Sequence, residues 1–155
     1  MRPKAGERAP DFRLLSDEGK EVSLKSLKGA PVILFFYPKD DTTGCTVEAC
    51  EFRDLFPRFK KGGAIVLGIS PDSVKSHVKF KQKYELPYTL LADTEKIVVN
   101  AYDVWKEKSM YGRKYMGVER TTFLIDSTGK VARVFEKVSP DGHAAEVQEA
   151  LVELS

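Results

Sequence analysis

Two cysteines among 155 residues are too few for a disulfide-stapled scaffold, and a chain of this length buries a core without staples. An excess of charge of one sign is also missing. The 25 Lys and Arg face 23 Asp and Glu, and a formal net charge of +2 does not point to nucleic acid. The basic runs at 58–61 and 75–83 read as solvated helix faces. No apolar run approaches the length of a membrane span; the longest covers 31–37. Residues 1–8 hold no apolar segment of the kind a secretory signal carries. A soluble, cytoplasmic protein with no membrane or nucleic-acid partner is therefore expected. In that compartment two cysteines are reactive or metal-binding sooner than a permanent staple. Repeats, low-complexity tracts, linkers and phosphate-cradling glycine motifs are absent too, so residues 1–155 are read as one domain.

What is present is an ordinary globular composition, 42% hydrophobic and 31% charged, with clear periodicities. The stretches 11–15 and 21–24 flank a turn signal, Asp17-Glu18-Gly19-Lys20, and predict an N-terminal hairpin. The continuous apolar run 31–37, closed by Pro38, suits a central strand buried on both faces, and 64–69 suits a second. The stretches 121–126 and 131–136 predict a closing hairpin. Helices are expected over 44–60, where Ala49, Phe52, Phe56 and Phe59 recur at spacings of three and four, and from 70 to about 84 behind Ser70-Pro71-Asp72. Two more are expected, behind Asp93 to about 101 and behind Ser139-Pro140-Asp141 to the C-terminus. Strand–helix–strand order implies parallel pairing with right-handed crossovers. The expected class is α/β, a mixed sheet with helices on both faces.

Chemistry concentrates between Tyr37 and Cys50. A buried strand ends, a polar loop follows, and Cys45 falls in the first turn of the next helix. Free backbone N–H groups and the positive end of the helix dipole favour an anion there. The loop also lies outside the carboxyl end of a strand, where α/β sheets bind ligands. At roughly 100° per residue Cys45 shares the apolar stripe, while Cys50 lies about 140° around and points elsewhere. Five residues rise about 7.5 Å along a helix, too far for a disulfide, so if the two pair the first turns must unwind. Two other readings stay open on the residues alone. Both cysteines could be small buried hydrophobes, or the pair could contribute to a metal site, although His77 and His143 lie far along the chain.

The segment resembles the active site of the peroxiredoxins, whose motif Pro-x-x-x-Thr/Ser-x-x-Cys is met by Pro38, Thr42 and Cys45. Glu48-Ala49-Cys50 and the stretch 118–126 resemble the bacterioferritin-comigratory-protein (PrxQ) branch, and the likeness in order and spacing runs from Gly6 to the last helix. The resemblance implies a thioredoxin-like fold with an N-terminal hairpin extension. It implies a thiol peroxidase in which Cys45 attacks a hydroperoxide, Thr42 holds the peroxide oxygen, Pro38 shields the sulfur and Arg120 supplies positive charge. Cys50 would then close an intramolecular disulfide, which a thioredoxin-like dithiol protein reduces. No metal, haem or flavin is implied. A pair within one helix needs no partner chain, so a monomer is expected. Thr43 stands where this branch usually has Pro, which removes a restraint on the first turn.

Glu48 is expected to orient Arg120, and Asp40 and Asp41 to face solvent, since a nearby free carboxylate opposes a thiolate. The two histidines read as surface residues, and the stretch around Trp105, Tyr111 and Tyr115 as a loop before Arg120. Pro57 is expected to kink its helix. The competing functional readings are a thiol–disulfide oxidoreductase or redox sensor without efficient peroxide turnover, and a thioredoxin-like interaction module.

Overall fold

Alternation within the apolar run 31–37 sets the architecture. Successive strand side chains point to opposite faces, so Ile33, Phe35 and Tyr37 enter one buried cluster while Val32, Leu34 and Phe36 enter another. A sheet covered on both sides follows. The structure, a computed structural model, describes residues 1–154.

The N-terminal hairpin is β1 (Arg13–Ser16) and β2 (Glu21–Ser23). Strand β3 (Val32–Phe36) leads through α1 (Thr43–Lys61) to β4 (Ile65–Ser70), then through α2 (Val74–Tyr84) to β5 (Thr89–Ala92); β3, β4 and β5 are parallel. After α3 (Ile97–Ala101) come β6 (Trp105–Met110) and β7 (Arg113–Val118), which pair only with each other. Strand β8 (Thr121–Ile125) returns antiparallel beside β3, β9 (Val131–Phe135) pairs antiparallel with β8, and α4 (His143–Leu154) follows. The main sheet runs β2-β1-β5-β4-β3-β8-β9.

Helices α1, α2 and α4 cover one face with Phe52, Phe59, Phe80, Val147 and Leu151. Helix α3 and the residues after it cover the other with Val98, Val99 and Tyr102. Burying each such side chain contributes about 1.5–3 kcal/mol. Phe35 stacks on Phe52 with centroids 4.5 Å apart, which fixes α1 over β3. Gly68 permits this: a Cβ there would lie 2.8 Å from Phe35 Cζ and 2.9 Å from Leu90 Cδ2.

The α/β expectation, the two predicted hairpins and the parallel pairing of β3 with β4 are borne out. The stretch around Trp105 is not a loop but the β6–β7 hairpin, whose two-residue turn has φ +51° at Tyr111 and +77° at Gly112. Positive φ at both central positions is the type I′ pattern, normally announced by Asn or Asp before Gly. Tyr at the first position hid it. Helix α2 starts three residues later than expected, with Ser73 as its cap accepting from Ser76 N at 3.1 Å, because Ser70 instead completes β4. The last helix starts at His143 rather than behind Ser139. The Asp93 carboxylate does accept from a backbone N–H, that of Val99 at 2.8 Å, above a five-residue helix. Helix α1 runs on past Pro57 to Lys61.

Both histidines contradict the surface reading: His77 is 0% and His143 2% exposed. His77 shares its inward face with Phe80 and Tyr84, and His143 sits edge-on to Phe52 and Phe135. Each has polar partners that make burial tolerable. His77 bonds to Asp40 and the Leu91 carbonyl, His143 to Thr122 and Glu146. Asp40 likewise is buried rather than solvent-facing, whereas Asp41 is exposed.

Candidate active site

Tyr37 continues the buried strand, and Pro38 ends it half-buried. The loop then reaches Thr42, whose extended backbone (φ −97°, ψ 158°) makes it the N-cap of α1. Its carbonyl accepts from Thr46 N at 2.8 Å, which closes the first turn. Its hydroxyl donates to Lys39 O at 2.9 Å and caps no helical N–H. With that hydrogen engaged, the lone pairs of Oγ1 are free on an exposed residue.

Cys45 lies in the first turn, 2% exposed, at the edge of the cluster formed by Ala49, Phe52 and Phe35. Arg120 reaches it from the start of β8. Strand register explains the meeting, because Phe36 at the end of β3 pairs with Thr121 at the start of β8. Arg120 Nη2 donates to Cys45 Sγ at 3.4 Å, and Nη1 donates to Glu48 Oε1 at 2.7 Å. Gly44 leaves room for this approach, since a Cβ there would stand 3.2 Å from Arg120 Nη2 and 3.3 Å from Pro140 Cγ.

Glu48, one turn beyond Cys45, is 0% exposed. Burial pushes its carboxyl up to about 7, against the opposing pull of Arg120. Its second oxygen, Oε2, has no hydrogen-bond partner among the described residues. Lys108 on β6 also belongs to this neighbourhood. Burial and the charge of Arg120 lower its pKa, while Cys45 and Glu119 oppose them.

Cys50 is half-buried and lies outside the core cluster that holds Cys45; both thiols are free. Partial burial raises its pKa, with Arg53 opposing the rise and Asp54 adding to it. The helix beside it is tied down. Tyr88 donates its hydroxyl to Ala49 O at 2.6 Å, and Arg53 Nη1 donates to Tyr84 O at 2.8 Å.

Of the residues singled out from sequence, Cys45 and Arg120 are brought into contact and Glu48 holds Arg120 as expected. Thr42 and Pro38 frame the loop just before them. Cys50 stands apart. Two features escaped the sequence: the burial of Glu48, although its place at i+3 from Cys45 pointed inward, and Lys108, hidden in an unrecognised strand. One cluster has metal-like spacing, with donor atoms of Asp40, Asp72 and His77 within 4.8 Å of one another. Those atoms already share hydrogen bonds with each other and with Ser70 and Ser76. That donor set is engaged with protons and suits a polar clasp better than a cation.

Comparison with known proteins agrees with this arrangement. The AhpC/TSA family model matches residues 5–134. A bcp protein of Coxiella burnetii is 56% identical over 147 residues, covering 95% of this chain and 97% of its own length. Peroxiredoxin Bcp of Bacillus subtilis is 46% identical over 155 residues, 100% of this chain and 99% of its own. Among solved structures, the Xanthomonas campestris bacterioferritin comigratory protein, studied in trapped intermediate and ligand complexes for its alkyl peroxide reduction, superimposes with a TM-score of 0.91 at 40% identity. That match covers 97% of this chain and 98% of the other. With the thioredoxin-like fold and a thiol held against a half-buried arginine, the chain belongs to the AhpC/TSA family and is a peroxiredoxin of the bacterioferritin-comigratory, or Q, type.

Proposed function

We propose that this thiol peroxidase uses Cys45 as its peroxidatic nucleophile and Cys50 as the resolving thiol. The observation that carries the reading is the guanidinium of Arg120, bonded at once to Cys45 Sγ and to buried Glu48. A fixed cation beside the sulfur meets the negative charge that develops on oxygen as the peroxide bond breaks.

In the first step Cys45 sulfur attacks the terminal oxygen of ROOH. An S–O bond forms, the O–O bond breaks, and the leaving oxygen takes a proton to give ROH, water when R is hydrogen. Thr42 Oγ1, with its own hydrogen directed to Lys39, accepts the hydrogen of the peroxide and sets the O–O bond in line with sulfur. Pro38 walls the loop side. In the second step Cys50 sulfur displaces hydroxide from the Cys45 sulfenic acid, which leaves as water with the thiol's proton and gives the Cys45–Cys50 disulfide. An external dithiol protein of the thioredoxin type returns both thiols by exchange.

The alkyl peroxide reduction studied in the Xanthomonas campestris relative supports organic hydroperoxides beside hydrogen peroxide as substrates. No helix among the described residues is long and apolar enough to cross a membrane, and a cytoplasmic monomer remains our reading, since both thiols lie in one helix.

The test is thiol titration with mass spectrometry after one equivalent of hydrogen peroxide. Wild type should give an intramolecular disulfide, Cys50→Ser a trapped sulfenic acid, and Cys45→Ser no reaction. Thiols that stay reduced in wild type would sink these assignments.

A further inference from the structure

The mechanism above makes no use of Asp40, yet no other residue of the loop before α1 is held so completely. It is 7% exposed. Oδ1 accepts from the Tyr37 hydroxyl at 2.5 Å, and Oδ2 accepts from Ser76 Oγ at 2.7 Å and lies 2.7 Å from His77 Nδ1. His77 Nε2 faces the Leu91 carbonyl at 2.9 Å, which can only accept, so that nitrogen carries a hydrogen. The Asp40 amide donates to Asp72 Oδ2 at 2.8 Å, and that oxygen also accepts from Ser70 Oγ at 2.6 Å. Tyr37 at the end of β3 and Ser76 and His77 of α2 thus converge on one carboxylate, while Asp72 holds the backbone of the same residue. Taking a carboxylate and an imidazole out of water is tolerated only when they are paired in this way.

The next residue repeats the attachment. Asp41 adopts φ +57°, and its carboxylate accepts from Lys83 Nζ at 2.8 Å and Tyr84 Oη at 2.7 Å. Two successive residues are therefore tied to α2 immediately before Thr42. On the far side of the cysteine, Ala49 is tied to Tyr88 and Arg53 to the Tyr84 carbonyl. Between the two sets of ties lie residues 42–48, which include Thr42, Cys45 and Glu48.

We propose that Asp40 is a positioning residue of the peroxidatic loop: by anchoring the loop to α2 through His77 and Ser76, it holds Cys45 in place for peroxide reduction and confines unwinding of α1 to residues 42–48. The proposal rests on Cys45 and Cys50 being the peroxidatic and resolving thiols. In the wound state the anchor fixes where α1 begins, and so where Thr42 and Cys45 stand. In the unwound state it limits the slack from which Cys45 must reach Cys50, because every released loop residue would add conformational freedom to that state. Loosening Asp40 acts on the two chemical steps in opposite directions. It slows the attack on peroxide, and it speeds disulfide formation by favouring the unwound state. A loss of general stability would not divide the two rates in that way.

Rapid-quench mass spectrometry on wild type, Asp40→Asn, Ser76→Ala and Tyr102→Phe tests this, with each variant's folded fraction fixed by circular dichroism. Tyr102→Phe is the control, since it removes a hydroxyl bonded to Pro10 O on the opposite face of the sheet. In Asp40→Asn, disulfide formation should rise and peroxide reduction fall, each by about fivefold, the scale of one buried hydrogen bond. Ser76→Ala should move both the same way by less, and Tyr102→Phe should move neither. Should Asp40→Asn fail to fold, Ser76→Ala decides alone. Unchanged rates in the folded loop variants, rates that fall together, or an equal shift in Tyr102→Phe would overturn the proposal. Wild type that forms no disulfide would instead overturn the assignment of the two cysteines beneath it.

Discussion

Glu48 accepts a 2.7 Å hydrogen bond from Arg120 at a point water does not reach, and the same guanidinium touches the sulfur of Cys45. The cation beside the thiol is therefore shared with a carboxylate. Replacing Arg120 by Met should lower the second-order rate constant for peroxide reduction by about 10²–10³-fold, the usual scale for loss of one charge-stabilising donor. Arg120→Lys should fall between, because one ammonium keeps the charge but lacks the planar fork that serves both partners. Stopped-flow kinetics under single turnover would check both; a Met variant as fast as wild type would remove Arg120 from the chemistry.

Glu48 also makes stability depend on pH. Its carboxyl is raised from 4.5 to about 7, with burial as the main cause. A raised acid binds its proton more tightly in the folded state, so the contribution is fully present below the unfolded value and is lost as pH rises toward 7. Urea unfolding at pH 5 and pH 7.5 should show a decline across this window in wild type. The decline should be smaller in Glu48→Gln, with the difference between the two proteins isolating Glu48 from other buried carboxyls such as Asp93. An equal decline would contradict the assignment.

Thr43, the first residue of α1, is exposed and occupies the position where a helix best tolerates proline. Thr43→Pro should stiffen the first turn and slow disulfide formation by roughly 2–5-fold, the effect of removing about 0.4–1 kcal/mol of unwound-chain entropy. The trapped sulfenic acid should persist longer and overoxidise more readily at excess peroxide. Mass spectrometry of Cys45 as sulfinic acid measures this directly, and no change in resolution rate would count against a restraint at this position.

Gly44→Ala probes the fit of Arg120. The added methyl would meet Nη2 at 3.2 Å and Pro140 at 3.3 Å, so the guanidinium must shift by a few tenths of an ångström. Displacements on that scale at a reacting centre should reduce the peroxide rate by up to about tenfold. Stability should fall modestly as well, because the Pro140 ring, unlike the guanidinium, cannot rotate out of the way. A variant with full activity would show that the guanidinium tolerates a looser seat.

Much of this was legible in residues 31–61, where a two-sided apolar run, a polar loop and a helical stripe follow one another. Cys45 and Arg120 could be paired from the family motif, and the register of Phe36 with Thr121 supplies the physical reason. Asp40 and His77 were not legible. Each is ordinarily a surface residue, and only their mutual pairing, 37 positions apart, makes burial tolerable. The β6–β7 hairpin was missed for a different reason, since its turn carries Tyr111 where sequence rules look for Asn or Asp. Lys108 went unnoticed with it.

Residues that touch at the sulfur are 75 positions apart, and the meeting depends on β8 lying antiparallel beside β3. A chain still under synthesis holds Cys45 long before it holds Arg120. Until β8 is complete and paired, the thiol lacks the Arg120 guanidinium at its side. The order of the strands thus makes the Cys45–Arg120 contact a product of the finished sheet: the sulfur gains its guanidinium only when β8 has joined β3.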